Sequence, residues 1–205
     1  MTFDFSRKLR HYFSLQTQIQ HMRDRLGPIP DSDMTEAQRL AAAAIVAGPR
    51  GAIYGPFIPL LRSPELMESA QRMGEYLRYR SAIGVRLSEL AILVTAREWN
   101  QQVEWAIHAP IAGQVGIPAD VIAAIARRER PAAMLVDEAV VHDFCVELHR
   151  NKRVSDRVYA DALALFGEYG VVDLMGINGY YTFLAMVMNT AQTEAPASNA
   201  ARLPE

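Results

Sequence analysis

A chain of 205 residues, 50% hydrophobic and 21% charged, carries enough apolar material for one globular core without covalent staples. Its formal net charge of −2 is spread over scattered acids and bases, which argues against a nucleic-acid partner or an anionic membrane surface. The single cysteine, Cys145, excludes an internal disulfide, a Cys-x-x-Cys redox pair and a cysteine zinc cluster; with an N-terminal stretch that lacks a secretory signal, this leads to the expectation of a cytoplasmic protein.

Along the chain, Phe5, Leu9, Tyr12, Ile19, Met22 and Leu26 recur at near-helical intervals, so residues 1–34 read as an amphipathic helical arm and linker. The main domain is expected over 35–191. It opens with "TEAQRLAAAAIVAG", with Thr35 as N-cap and Gly48 as stop, followed by the loop "GPRGAIYGPF". That loop lacks the Gly-Lys-Ser/Thr ending of a phosphate cradle. "SPELMESAQRMGEYLRYRS" places Ser63 at an N-cap and Pro64 at the first helical position. "RLSELAILVTAREW" is strongly apolar, Asn100 is a break and cap, and "QQVEWAIHAPIAGQVG" is the next helix. "PADVIAAIARRER", "DEAVVHDFCVELHRNK" and "SDRVYADALALFGEYG" repeat the same design of start, apolar stripe and basic or glycine stop.

A last long helix is expected from about Val171 to Thr190, with Gly176 and Gly179 marking close approach to a neighbour. Asp173 and Asn178 interrupt its apolar run, so it falls short of the roughly 20 apolar residues of a membrane span and reads as a buried helix. Residues 192–205 read as a flexible tail. No alternating β-branched runs occur, so the predicted class is all-α: a compact bundle of about eight or nine helices that commonly buries a further face in a homo-oligomer.

The chemistry-bearing stretch is "WNQQVEWAIHAPI", Trp99 to Ile111. Glu104 and His108 stand at i and i+4, so their Cβ atoms lie about 5–6 Å apart on a helix. A carboxylate beside an imidazole fixes its tautomer and raises its pKa, which suits proton transfer near neutral pH. Gln101 shares that face one turn earlier, and Arg97 one turn before that if the break at Asn100 keeps register. Trp99, Val103, Trp105, Ile107 and Ile111 surround the polar stripe, so it is expected to be sheltered.

"LSELAILVTAREWNQQVEWAIHAPIAGQVGIPADVIAAI" resembles the carboxymuconolactone decarboxylase family, within the alkyl hydroperoxidase-like all-α superfamily. The matching positions are Glu89 in an apolar helix, His108 at the end of a short one, and "AGQVGIP"; the similarity covers roughly Thr35 to Asn189. Peroxidase members carry Cys-x-x-Cys seven and four residues before the His, where this chain has Gln101 and Glu104, so thiol peroxidase activity is not expected.

What the resemblance implies is decarboxylation, or related acid/base chemistry, on a small organic acid or lactone, with no cofactor and no metal. His108 is then the proton donor or shuttle, Glu104 its orienting acid, and Glu89 reaches the same pocket from the preceding helix. Arg97, Gln101, Trp105 and Phe57 are the substrate-binding candidates, with the Gly51–Phe57 loop as a wall. Another isomerase or hydrolase using the same Glu/His dyad, and a non-catalytic helical oligomer, stand as alternatives. His142, Cys145 and His149 share a helix face that could hold a metal, but packing accounts for them better. Glu89, Glu104 and His108, two acids and an imidazole, could instead bind a metal, and Tyr180-Tyr181 beside Asn178 reads as helix packing, with one phenol able to line the cavity. His11 and His21 fall on the surface of the arm.

Overall fold

The computed structural model describes residues 24–48, 50–196 and 202–204. Among the described residues there is no strand, and eight α-helices follow in order: α1 (Glu36–Ala47), α2 (Phe57–Leu60), α3 (Pro64–Tyr79), α4 (Gly84–Glu98), α5 (Gln102–Gln114), α6 (Ala119–Ala126), α7 (Val136–Asn151) and α8 (Asp156–Ala191). The all-α bundle expected from periodicity is the fold the chain adopts. The arm's stripe from Phe5 to Met22, with His11 and His21, lies outside the described residues.

The hub is α4, buried from Leu87 through Arg97 without a solvent-facing side. It packs chiefly against α5, α7 and α8. A helix enclosed on all faces should be apolar on all faces. This one nevertheless carries Ser88, Glu89, Thr95 and Arg97, each buried, and that exception places chemistry at the centre of the bundle.

Helix starts follow the sequence closely. Thr35 makes a reciprocal capping box with Gln38, and Ser155 accepts from Val158 N at 3.4 Å. Ser63 occupies the N-cap position of α3 but makes no capping hydrogen bond, Pro64 setting the first turn instead. The cap of α5 is Gln101, whose side chain accepts from Val103 N at 2.6 Å; Asn100 breaks the chain with φ 49° and does not cap it.

The final helix departs most from expectation. Helical hydrogen bonding begins at Asp156 and continues to Ala191, interrupted only by Gly167 at φ 64°, ψ 177°, a conformation reserved for glycine. The two stretches expected as separate helices are thus one element with a corner. By length and composition α8 is apolar enough to cross a membrane, correcting the expectation that it falls short; 56% of its most apolar window is buried inside the protein, as in a core helix. Gly176 does mark a close approach, since a Cβ there would meet Leu77 at 3.0 Å, but Gly179 faces open space. The tightest contact is at Gly74 of α3, where a Cβ would lie 2.2 Å from the Tyr180 hydroxyl.

Asp173 ties α8 to the end of α3. It accepts from the Tyr76 hydroxyl at 2.9 Å and from Ala82 N at 2.7 Å, fastening the α3–α4 turn on both sides of Arg78. The C-terminal segment is docked at one point where a flexible tail was expected: Leu203 is only 3% exposed and exchanges two hydrogen bonds with the Gln102 side chain, each 3.0 Å.

Candidate active site

Three helices bring their polar residues together around His108. Glu89 projects from the middle of α4, Glu104 and His108 from successive turns of α5, and Tyr181 from α8. The ring is 4% exposed, so it faces the interior and not bulk water. His108 Nδ1 lies 2.6 Å from Glu89 Oε2 and Nε2 lies 3.2 Å from Glu104 Oε2. The shorter contact is thus to the acid on the neighbouring helix, and Glu104 is the second partner. Tyr181 meets the ring edge to face at 5.3 Å, with Tyr180 packed on Tyr181 at 5.2 Å.

An imidazole with a carboxylate at each nitrogen is best satisfied when both nitrogens carry protons, because a neutral ring has only one N–H to donate. Burial pulls the His108 pKa down, but the Glu89 charge and the hydrogen bonds from both acids outweigh it and push it up to about 9. Arg78 completes the charge balance from α3, its Nε 3.5 Å from Glu89 Oε1. With both acids as carboxylates, the imidazolium and the guanidinium neutralise the group. Burial works against the Arg78 charge, yet the nearby Tyr181 and Glu89 leave its pKa raised.

Polar capacity is left over. Glu89 Oε1, Glu104 Oε1 and the Tyr180 hydroxyl are buried without a hydrogen-bond partner. Unmet buried polar atoms are costly; two of these belong to the acids that flank His108, and of them Glu89 Oε1 is the oxygen that faces Arg78. Burial keeps both the Tyr180 and Tyr181 phenols protonated, with pKa values raised. Toward the surface lies Arg78, whose side chain is 12% exposed, with the half-buried Tyr54 within electrostatic reach of it and the half-buried Arg50 within reach of Tyr180. Arg50 lies 4.2 Å above the Phe57 ring and donates from Nε to Gln71 Oε1 at 3.0 Å. Gly55 would place a Cβ 3.9 Å from Ile107, so the Gly51–Phe57 loop closes over α5.

The structure thus unites Glu89, Glu104 and His108, with Phe57 nearby beneath Arg50. It separates the other candidates. Gln101 is spent on capping α5 and on donating to Asn189 Oδ1 at 2.7 Å. Trp105 borders a different cavity with Ala109, Ile122 and Ala123. Arg97 turns to the opposite end of α4, because the break at Asn100 does rotate the register. Arg78 and Arg50 carry no signal in the sequence, where Arg78 looks like an ordinary basic residue in a helix's last turn. Tyr54 belongs to the loop expected as a wall, and Tyr181 is the phenol of the Tyr180-Tyr181 pair that meets the His108 ring.

The other candidate cluster disperses. His149 Nε2 lies 3.1 Å from Thr95 Oγ1, His142 Nδ1 lies 3.0 Å from Asp143 Oδ1, and Cys145 accepts from Asn178 Nδ2 at 3.2 Å. Burial pushes the Cys145 thiol up to about 12, against the Asn178 hydrogen bond, which keeps it from acting as a thiolate. Among the described residues no group of three or more His, Cys, Asp or Glu side chains is arranged to hold a metal. No family model matches the chain and no curated protein matches it, so the arrangement around His108 is interpreted from its own chemistry.

Proposed function

We propose that the chain is a cofactor-independent acid/base enzyme of the carboxymuconolactone decarboxylase type, acting on a small organic acid or lactone. The observation that carries this reading is the buried imidazole held between Glu89 and Glu104, with the other Glu89 oxygen facing Arg78 and Glu104 Oε1 left without a hydrogen-bond partner. In a decarboxylation, the bond from carbon to the leaving carboxylate breaks and its electron pair moves into the conjugated lactone carbonyl. His108, resting as an imidazolium, then supplies the proton that completes the new C–H bond, and water restores it. Glu89 and Glu104 stabilise the charged ring and hold its orientation. Arg78, beside Glu89, would grip a carboxylate that the substrate retains.

Assembly into a homo-oligomer belongs to the same reading. Its support is the row of exposed Val172, Met175 and Met186 along α8, an apolar face that water does not favour. Light scattering on the purified chain tests it.

The function is tested by screening lactone acids and β-keto acids for carbon dioxide release. Release that disappears in His108→Gln supports the proposal. A turnover unaffected by that substitution removes His108 from the chemistry.

A further inference from the structure

Arg97 lies eight residues beyond Glu89, which on a helix is about 12 Å along the axis and roughly 80° around it. There it borders a separate cavity of about 220 Å³ between α4, the α6–α7 connection and α7, lined by none of Glu89, Glu104 and His108. Val94, Ile125 and Val146 make its apolar floor.

The charges around this cavity do not cancel. Glu98 pairs with Arg150 at 2.7 Å, Asp143 with Arg130 at 2.9 Å, and Glu129 with Arg127 at 2.7 Å. Arg97 and Arg128 are left without a carboxylate among the described residues. Both guanidiniums instead converge on one neutral atom, Asn100 Oδ1, reached by Arg97 Nη1 and by Arg128 Nη2 at 3.2 Å. Arg97 is only 5% exposed, and its Nε is buried with no hydrogen-bond partner. Burial and the facing Arg128 lower the Arg97 pKa against the weaker pull of Glu98, so an anion between the two guanidiniums would relieve the repulsion that remains.

We infer that this cavity binds a small dianionic oxyanion, clamped between Arg97 and Arg128. Two forked guanidiniums match the two charges of phosphate or of a short dicarboxylate. A volume near 220 Å³ is below the usual 300–1,000 Å³ of pockets for larger ligands, which rules out a nucleotide. His142 lines the same space with Nδ1 engaged by Asp143 at 3.0 Å, so it adds no free charge there. The site is independent of the chemistry at His108.

Arg128 offers a clean test because its backbone is left-handed, φ 60°, just past the end of α6. Glycine is the residue that position ordinarily favours, so Arg128→Gly removes the charge while easing the backbone. Titration calorimetry of the full chain at fixed ionic strength, with inorganic phosphate and separately with succinate, is the experiment. One site is expected in the wild type, weakened about tenfold or more in Arg128→Gly and in Arg97→Gln, and unchanged in His108→Gln. Tighter phosphate binding identifies a phosphate group as the ligand, tighter succinate binding a dicarboxylate. Equal affinity in wild type and Arg128→Gly, loss of the site in His108→Gln, or no wild-type binding of either anion up to about 10 mM overturns the inference.

Discussion

The two ends of α4 handle buried charge in opposite ways. Around Glu89, two acids face an imidazole and a guanidinium, so the charges balance and what remains unmet is hydrogen-bonding capacity. Around Arg97, the carboxylates are all taken by other arginines, so charge itself remains unmet. The first arrangement suits moving a proton; the second suits holding an anion still. A single enclosed helix supports both because its neighbours differ: α3, α5 and α8 at one end, α6 and α7 at the other.

That contrast can be broken at several points. Replacing His108 by Gln should reduce turnover of an established substrate by roughly 10²–10⁴-fold, the usual contribution of a positioned acid or base, while leaving the Arg97 cavity's anion affinity unchanged. A variant that loses both properties would show that the two ends are coupled.

The next effect is on pH dependence. The folded-state pKa of His108 is raised from 6.5 to about 9, so its stabilising contribution is complete below about pH 6.5 and is lost as pH rises through about 9. The loss should be on the order of 2–3 kcal/mol, read as a falling urea midpoint between pH 6 and 9 and flattened in His108→Gln. Titration of the ring by NMR sharpens the assignment of partners. Glu89→Gln should lower the His108 pKa more than Glu104→Gln, since Glu89 makes the closer contact and the stronger charge interaction. A larger shift in Glu104→Gln would return Glu104 to the leading role.

Smaller effects probe the wall that holds Tyr180 and Tyr181 against this site. Gly74→Ala places a methyl 2.2 Å from the Tyr180 hydroxyl and should destabilise by about 1–3 kcal/mol in thermal unfolding. Gly179→Ala meets nothing within 4 Å and should stabilise by about 0.5–1 kcal/mol, the ordinary gain from removing a mid-helix glycine.

The sequence made several helices legible because they carry their own punctuation, Thr35 before α1 and Pro64 at the start of α3, whereas the one-turn α2 falls where the sequence suggested only a loop. It also made the His108–Glu104 pair legible through spacing, whereas nothing in the spacing connects Glu89, an acid in an apolar helix, to that ring. Hidden were the partners that arrive from other elements. Nothing local distinguishes Arg78 from the many basic residues that end helices, and only the α3–α4 turn brings it to Glu89. Arg97 was misplaced for a local reason: Asn100 adopts a left-handed conformation, so the face that carries Arg97 on α4 does not continue as the face that carries His108 on α5. The corner at Gly167 was hidden too, since a glycine within an apolar stretch reads equally as a helix end or as a site of close packing.

Asp173 has a consequence for how substrate preference could change. It grips Tyr76 on one side of Arg78 and Ala82 on the other, so the position of the guanidinium is tied to a carboxylate on α8, the helix packed directly against α3. Under the proposed function, substitutions at position 173 would retune which carboxylates Arg78 receives without touching His108, giving selectivity a route to drift that leaves the imidazole and its two acids in place.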